Sequence, residues 1–589
     1  MKQCKKIILS AAALLLMLTG CSESDGKNSS NTLTIMTFQR NYEPLREALK
    51  EKYPDISLEI QSYKGRNSTV YIKTLLETGN APDIVTAAYV LPDELQEQSL
   101  IDLSAHSFVT NYEMNILSGS DVNGGIYLLP SAYTISGIMY NKTLFEKHGW
   151  EAPQSFEELC GLVPEIKAAG VDLSACDTQY PGSGFSYLMD IAGTDFEGYQ
   201  YSEKWRDGFM NGTANADHLR KTADYMQRWI DIGMLSMPSE PVTDSKTKQH
   251  FTDGNTAFLI SANGFRFTRN EDGTGDRYGI IPWLSEDGTS NILITKVPRY
   301  YGLNKALEND PKKLENALRV MEFLSSEDGQ LALLGGKNDA FVLPLRDYSS
   351  DFGSGYSDVF DLVRSGNMMP FVYDGWEDHI VGIGNSVYSM MEGRISPEQL
   401  ITEINANRDK VLEAGGNKIY AEVSEDMSKE EVAHLMGAAF AEAVGADCSL
   451  VSVGEYHEGF KENPYGVNGC LFAGTKVDEQ LLCTVNPLGW SDPIYTMEMT
   501  GAEVKELAGY GLDLHGDGNT FPYVLTVTDG VTLDDDTVYT AAVPIETEEN
   551  MKKYSAVQTD VTGQDAAVEY IKHLGGTLSP ECTVQSVGK

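Results

Sequence analysis

The sequence predicts an α/β protein that is built from more than one domain. Its 589 residues are several times the ~100 to 200 residues of an ordinary domain. From Thr32 to about Ala414, short β-like runs alternate with longer amphipathic helices, which is the pattern of α/β layers. Near Gly415 and Gly416 the composition changes, and a second region begins there. The 41% hydrophobic and 22% charged residues are typical of chains with packed cores.

The first five elements alternate between strand and helix. Residues 32–38 and 56–63 have the alternation of strands, and residues 43–53 between them have the apolar spacing of a helix. A second helix over 68–79 ends at a glycine, and 82–88 is an apolar strand suited to a parallel sheet. Ligands of such sheets bind outside the carboxyl ends of the strands. We therefore expect a site lined by residues at or just after the carboxyl ends of the β-like runs, namely Phe38, Gln39, Arg40, Thr86 and Tyr89.

The charge balance limits the partners. The chain carries 86 Asp and Glu residues against 45 Lys and Arg, for a formal net charge of −41. Nonspecific nucleic-acid binding needs a basic face, and so does electrostatic attachment to an anionic membrane surface. We expect no nucleic-acid partner, and small or neutral ligands fit this composition better.

The amino-terminal segment predicts export and anchoring. Residues 1–20 have a basic start and then an apolar run that is too short for a permanent membrane-spanning helix, which is typical of a signal peptide. The L-T-G-C sequence ending at Cys21 resembles the lipobox of bacterial lipoproteins, and this resemblance implies that Cys21 is lipidated and holds the protein on the extracytoplasmic face of the cell membrane. Residues 21–31 have the composition of a flexible tether. A cleaved signal with a chance cysteine is the alternative.

Several spaced motifs of the first region resemble those of one family. They are the segments 79–85, 124–150, 153–170, 254–258, 311–330 and 395–412. Together they indicate a resemblance over roughly 380 residues in the family's order. The family that they resemble is the extracellular solute-binding proteins that deliver sugars to ABC importers.

The resemblance implies a bilobed, periplasmic-binding-protein-like clamshell over residues 32–414. Two α/β lobes would close on a ligand in the cleft between them, and the partners would be a sugar or oligosaccharide and the subunits of an ABC permease. We expect a monomer. Sugars are held by stacked aromatic rings and directional polar groups. Aromatic and amide candidates on loop-like segments are Tyr133, Asn263, Phe265, Trp283 and Trp376, with Trp283 the first choice, and Arg40 and Asp190 are candidates for bonding hydroxyls. Core packing for the aromatic residues and solvated surface charge for Arg40 and Asp190 are the alternatives.

The second region is acidic and resembles another family. Residues 418–589 contain 29 Asp and Glu residues and nine Lys but no Arg. The segment 474–511 resembles the carboxyl-terminal, substrate-recognition domain of 5'-nucleotidases. In that family a separate metallophosphatase domain performs hydrolysis, and its G-N-H-[DE] and G-H-x-H motifs do not occur here. The family's Gly-Gly-x-Arg turn is replaced by residues 454–459, which are acidic and aromatic. We expect residues 417–589 to be a degenerate, non-catalytic α+β domain.

No sequence motif predicts catalysis. The chain has no HxH or HExxH spacing, no G-x-S-x-G elbow and no G-x-x-x-x-G-K-[ST] loop. We expect no metal, no cofactor and no enzymatic activity. Two alternatives stay open: a surface protein that binds or hydrolyses nucleotides, and a surface sensor whose terminal domain docks a partner. The six cysteines after Cys21 allow either disulfides or buried thiols.

Overall fold

The computed structural model describes residues 30–37, 42–63, 68–178, 180–194, 203–238, 244–260, 275–335, 341–346, 359, 362–363, 368–370, 376, 378–413, 418–454, 456–457, 461–462, 466–488, 492–510, 523–544 and 554–582. The chain forms two compact units. Unit 1 comprises residues 1–86, 303–320 and 417–589, and unit 2 comprises residues 87–302 and 321–416. Within unit 1 we call residues 30–86 and 303–320 the N-terminal subdomain, and residues 417–589 the C-terminal module.

The described helices are α1 Glu43–Lys52, α2 Ser68–Glu77, α3 Asp93–Ser99, α4 Met114–Leu117, α5 Lys142–His148, α6 Phe156–Ala168, α7 Pro181–Ala192, α8 Glu203–Met210, α9 Arg220–Ile232, α10 Asp244–Thr252, α11 Pro311–Leu324, α12 Glu327–Leu333, α13 Ile380–Met391, α14 Pro397–Glu413, α15 Lys429–Val444, α16 Glu479–Val485, α17 Gly501–Tyr510 and α18 Gly563–His573.

The described strands are β1 Thr32–Thr37, β2 Ser57–Ser62, β3 Ile84–Ala87, β4 Asp121–Val122, β5 Gly125–Ile126, β6 Leu129–Pro130, β7 Thr134–Ser136, β8 Ile138–Asn141, β9 Asp172–Cys176, β10 Thr256–Ile260, β11 Tyr278–Ile281, β12 Leu293–Lys296, β13 Tyr300–Leu303, β14 Met368–Pro370, β15 Ala421–Val423, β16 Cys448–Ser452, β17 Tyr456–His457, β18 Lys461–Glu462, β19 Lys476–Val477, β20 Pro493–Thr500, β21 Tyr523–Val527, β22 Val538–Val543, β23 Val557–Thr562 and β24 Thr577–Leu578.

The N-terminal subdomain has the predicted parallel sheet. Strand β1 pairs in parallel with β2 in the register Thr32 to Ser57, and it pairs in parallel with β3 through Ile35 and Ile84. Helices α1 and α2 connect the strands, each with apolar side chains at helical spacing. All five predicted elements are therefore confirmed, with bounds that differ by a few residues at most.

The C-terminal module is an α+β structure. One sheet has the strand order β21-β16-β22-β20-β23, and a smaller one has the order β19-β15-β24. Helix α15 starts with a capping box: the Glu431 amide donates to Ser428 Oγ (3.3 Å), and the Ser428 amide donates to Glu431 Oε2 (2.7 Å). Two amides at the helix start thus find partners. The helix over 428–445 that the sequence predicts is confirmed.

The main sheet of unit 2 brings three strand ends to one edge. Its strand order is β11-β8-β10-β9, with β9 and β10 parallel and β8 antiparallel to both β10 and β11. Strands β9, β10 and β11 therefore point the same way, and their carboxyl ends lie along the same edge. A second sheet of unit 2 has the order β14-β12-β7.

Helices α7 and α13 pack closely because both carry glycine at the contact. A Cβ atom on Gly384 of α13 would collide with the backbone oxygen of Pro181, and one on Gly184 of α7 would lie 2.8 Å from the oxygen of Gly384. Their backbones therefore approach each other without intervening side chains.

Two absences are confined to the part of the chain that the structure describes. None of its helices has the length and apolar content needed to cross a bilayer. The six cysteines at positions 160, 176, 448, 470, 483 and 582 form no disulfide, and burial raises the pKa of the Cys176 thiol to about 11.

Candidate ligand-binding site

Helix α7 lies across the carboxyl edge of the unit 2 sheet. At its first turn, Ser183 Oγ donates to Asp177 Oδ2 (2.8 Å), just after β9. One turn later, Tyr187 Oη donates to the backbone oxygen of Asp177 (2.8 Å) and lies 3.4 Å from that of Ile260, the last residue of β10. The helix therefore passes from the end of β9 to the end of β10. Continuing in this direction brings Asp190 toward the end of β11.

Asp190 lies close to the side chains of Trp283 and Lys296. Trp283 comes two residues after β11, and Lys296 is the last residue of β12. Burial has the largest effect on the pKa of Asp190 and raises it to about 6, whereas the charge of the Lys296 ammonium and the nearby, polar Trp283 indole N–H act to lower it. We call Asp190, Trp283 and Lys296 the Asp190 cluster.

The Asp190 cluster holds polar atoms that lack a hydrogen bond. Asp190 and Trp283 are each 1% exposed. Although they are close enough to influence each other, Asp190 Oδ1 and Trp283 Nε1 have no partner within hydrogen-bonding geometry among the described residues. Burial lowers the pKa of Lys296, and the nearby Asp190 carboxylate opposes that effect. A buried acceptor and a buried N–H donor thus lie beside an ammonium, and leaving the acceptor and the donor unsatisfied is costly.

This combination suits a ligand that carries hydroxyl groups. A hydroxyl can donate to Asp190 Oδ1 and accept from the indole or the ammonium, because it has one donor and two acceptor sites. The arrangement offers no pair of adjacent cations that would favour a phosphate. Within the described ranges, no group of three or more His, Cys, Asp or Glu side chains is placed to bind a metal ion.

Three of the predicted aromatic residues lie in hydrophobic cores. Tyr133 is fully buried, and its backbone pairs with Val342. The Trp283 backbone pairs with Ile292, so this residue lies in a hairpin instead of the expected loop. The Trp376 ring packs 5.6 Å from that of Phe209 and is also 1% exposed. Their burial supports the core-packing alternative, and their contact with a ligand stays a prediction.

Of the other predicted residues, three lie within the described part of the chain and six lie outside it. Thr86 is buried and donates to the backbone oxygen of Met36 (2.7 Å), whereas Tyr89 is partly exposed. The burial of Asp190 shows that it is not a solvated surface charge. The remaining candidates lie outside the described residues, namely Cys21, Phe38, Gln39, Arg40, Asn263 and Phe265.

Tyr180 is an aromatic candidate that the sequence reasoning missed. It immediately precedes α7 at the carboxyl end of β9, and 55% of it is exposed. Its ring covers Gly182, where a Cβ atom would collide with it, and Tyr388 Oη donates to its backbone oxygen (2.6 Å). An exposed ring on a fixed backbone can stack on the C–H face of a sugar. The signal in the sequence is a Tyr-Pro pair that follows a strand and opens a helix.

A cavity of ≈ 810 Å³ lies beside the last turn of α7. Its walls are the end of α7, one face of α9 and the turn 285–290, and an ion pair between Arg228 and Glu286 (2.8 Å) joins two of them. The volume is within the range of small-molecule sites. None of the sequence-predicted residues lines it.

Residues 38–331 match the sequence profile of the family described as bacterial extracellular solute-binding proteins. The match covers just under half of the chain. A structure of a family 1 extracellular solute-binding protein from Bifidobacterium longum subsp. infantis aligns with a TM-score of 0.52 at 17% identity, over 64% of this chain and 99% of that one. The likeness shows that the two share a fold.

Two known proteins show similarity at the level of sequence. The chain is 28% identical over 181 residues to the multiple sugar-binding protein of Streptococcus mutans serotype c, which covers 28% of this chain and 42% of that protein. It is 25% identical over 339 residues to an uncharacterised ABC transporter extracellular-binding protein of Pyrococcus horikoshii, which covers 56% of this chain and 75% of that protein.

The raised pKa of Asp190 predicts a specific pH dependence. Its pKa is 3.8 when exposed and about 6 in the folded chain, so the folded state holds the proton more tightly than the unfolded state. Stability should therefore fall as the pH rises from 4 to 7, by about 2 kcal/mol, since a pKa difference of 1 corresponds to about 1.4 kcal/mol. The Asp190→Asn variant should lack this component. Urea unfolding followed by tryptophan fluorescence measures it, because five of the six tryptophans belong to unit 2.

The informative quantity is the difference between the two proteins at each pH, since the other titrating groups are common to both. A difference that stays constant from pH 4 to 7 would show that Asp190 titrates as an exposed carboxyl group.

Proposed function

We propose that this protein captures a neutral carbohydrate outside the cytoplasm and that the Asp190 cluster supplies the polar contacts to the ligand. The observation that carries the proposal is the buried Asp190 carboxylate, whose Oδ1 lacks a hydrogen-bond partner among the described residues. The family of residues 38–331 and the name of the Streptococcus mutans relative, a multiple sugar-binding protein, support the ligand class.

The proposed mechanism is reversible capture, in which no covalent bond is made or broken. Tyr180 offers a stacking surface at the start of α7, and the Asp190 cluster offers hydrogen bonds near the end of this helix. The two ends of a 12-residue helix are about 16 Å apart, which suits a ligand of more than one sugar ring. The other sequence-predicted residues, including Thr86, Tyr89 and Trp376, stay candidates for further contacts.

We also propose that the protein delivers the captured solute to an ABC importer. The name of the Pyrococcus horikoshii relative, an ABC transporter extracellular-binding protein, supports this partner. Binding proteins of this kind would release the solute to permease subunits in the membrane, so the affinity must allow both capture and release.

Titration of the full chain by calorimetry with neutral mono-, di- and trisaccharides tests the ligand class. We expect at least one sugar to bind, and we expect Tyr180→Ala to weaken it about tenfold, or about 1.4 kcal/mol, because an aromatic platform is lost. Asp190→Asn should weaken it as well. Met114 is 61% exposed elsewhere in unit 2, so Met114→Ala is the matched control and should leave the affinity unchanged.

The same titration distinguishes the proposed site from the cavity beside α7. If the sugar occupied that cavity, Arg228→Ala would weaken binding, whereas Tyr180→Ala would not. Binding of no sugar in the panel at millimolar concentration would refute the carbohydrate proposal.

We also propose that Cys21 carries the lipid anchor. Its support is the L-T-G-C sequence together with hydrogen bonds at the start of the N-terminal subdomain: Asn316 Nδ2 donates to the Ser30 oxygen (2.9 Å), and Ser30 Oγ donates to Asp310 Oδ2 (3.0 Å). Residues 22–29 would then span at most about 30 Å. This short tether would keep unit 1 near the membrane surface.

Detergent phase partitioning of cell extracts tests the anchor. The wild-type protein should enter the detergent phase, and Cys21→Ser should move it to the aqueous phase because the acyl chains are lost. Cys4→Ser is the control, since Cys4 lies in the predicted signal peptide and should have no effect. Equal partitioning of Cys21→Ser and the wild type would contradict lipidation at this residue.

The C-terminal module is proposed to be a non-catalytic, 5'-nucleotidase-like domain over residues 417–589. The resemblance of residues 474–511 and the α+β arrangement of its described strands support this assignment. The acidic and aromatic residues 454–459 would disfavour a phosphate at the turn where the resembling family carries arginine.

A further inference from the structure

Helix α2 buries one apolar stripe. Residues 68, 71, 72, 75 and 76 recur at helical spacing and are all buried, whereas Lys73 and Glu77 remain exposed. Tyr71 lies at one edge of this stripe, where it contacts another part of unit 1.

Tyr63 and Tyr71 contact a segment of the C-terminal module. The rings of Tyr63 and Tyr71 stack with their centroids 4.6 Å apart and an interplanar angle of 12°. The backbone N–H of Cys470 donates to Tyr71 Oη (3.0 Å), and Tyr63 Oη donates to the backbone oxygen of Thr484 (3.3 Å). Helix α16 packs directly against α2. We call residues 466–488 the docking segment.

Gly469 sets how closely the docking segment approaches. A Cβ atom at this position would lie 2.7 Å from the Tyr71 ring and 3.0 Å from Val485 Cγ1. Side-chain carbons do not approach so closely in folded proteins, so either the ring or the segment would have to move. The glycine is required here for space.

The contact also gives the hydroxyl groups of Tyr63 and Tyr71 hydrogen-bond partners. Tyr63 is 1% exposed and Tyr71 is 6% exposed, and buried phenol groups need hydrogen-bond partners. The docking segment provides one backbone donor and one backbone acceptor for them. Backbone groups give the same bonds whatever the side chains, so the fit depends on the fold of the module.

We propose that the docking segment is a permanent intramolecular partner of α2, and that it makes the N-terminal subdomain and the C-terminal module one cooperative folding unit. This inference goes beyond the proposed capture of a solute, because it assigns the C-terminal module a role in stabilising the N-terminal subdomain. The Tyr63 and Tyr71 face is closed to other proteins. A chain that ends at residue 416 would expose that face, so removal of the module is not a neutral truncation.

Native-state hydrogen exchange of the full chain as a function of urea tests the proposal. In the wild type, amides of α2 and of β22 should lose protection at the same urea concentration, because one opening exposes both. Gly469→Val should separate the two transitions by wedging the docking segment away from Tyr71. Gly119→Val is the control, since nothing lies within 4 Å of a Cβ at that residue.

Tyr71→Phe provides a second variant that retains the ring. It removes the acceptor of the Cys470 amide, so both transitions should move to lower urea together. Separate transitions of α2 and β22 in the wild type would overturn the proposal. Coincident and unshifted transitions in Gly469→Val would overturn it as well, and if that variant does not fold, the wild-type and Tyr71→Phe measurements decide.

Discussion

The position of helix α7 across the carboxyl edge of the unit 2 sheet determines the candidate site. Its first turn is bonded to Asp177 after β9, and its second reaches the ends of both β9 and β10. This path carries Asp190 to Trp283 and Lys296, where burial raises the pKa of the carboxyl group. The strand ends form a rigid edge. The helix places Asp190 near this edge, where its Oδ1 has no hydrogen-bond partner among the described residues. The glycine contact with α13 keeps the helix against this edge.

Local patterns in the sequence predicted local structure well. The capping box at Ser428 and Glu431 and the alternation in β1 and β2 depend on neighbouring residues only, and the structure contains both. The outcome for the tryptophans depends on tertiary packing. Whether Trp283 and Trp376 face a core or a ligand depends on α7, α9 and α13, whose placement cannot be read from residue spacing. Tyr180 was missed because a single tyrosine before a helix has no periodic signal.

Contacts between the two regions of the chain also could not be predicted from local sequence patterns. Charge and composition indicate a domain boundary near residue 416, which stays a prediction. The contact of Tyr71 with Cys470 joins residues about 400 positions apart in the sequence. Such a contact leaves no trace in the spacing of α2, because Tyr71 falls within one ordinary apolar stripe.

The central claim is that a ligand hydroxyl bonds to the ionised Asp190 carboxylate. Such a bond favours the charged form, so binding must lower the pKa of Asp190 and release protons. Calorimetric titration of the bound sugar at pH 6, in two buffers of different ionisation enthalpy, counts them. With a free pKa of about 6, we expect release of about half a proton per ligand and tighter binding at pH 7 than at pH 5. Proton uptake, or no exchange of protons in either buffer, would contradict the account.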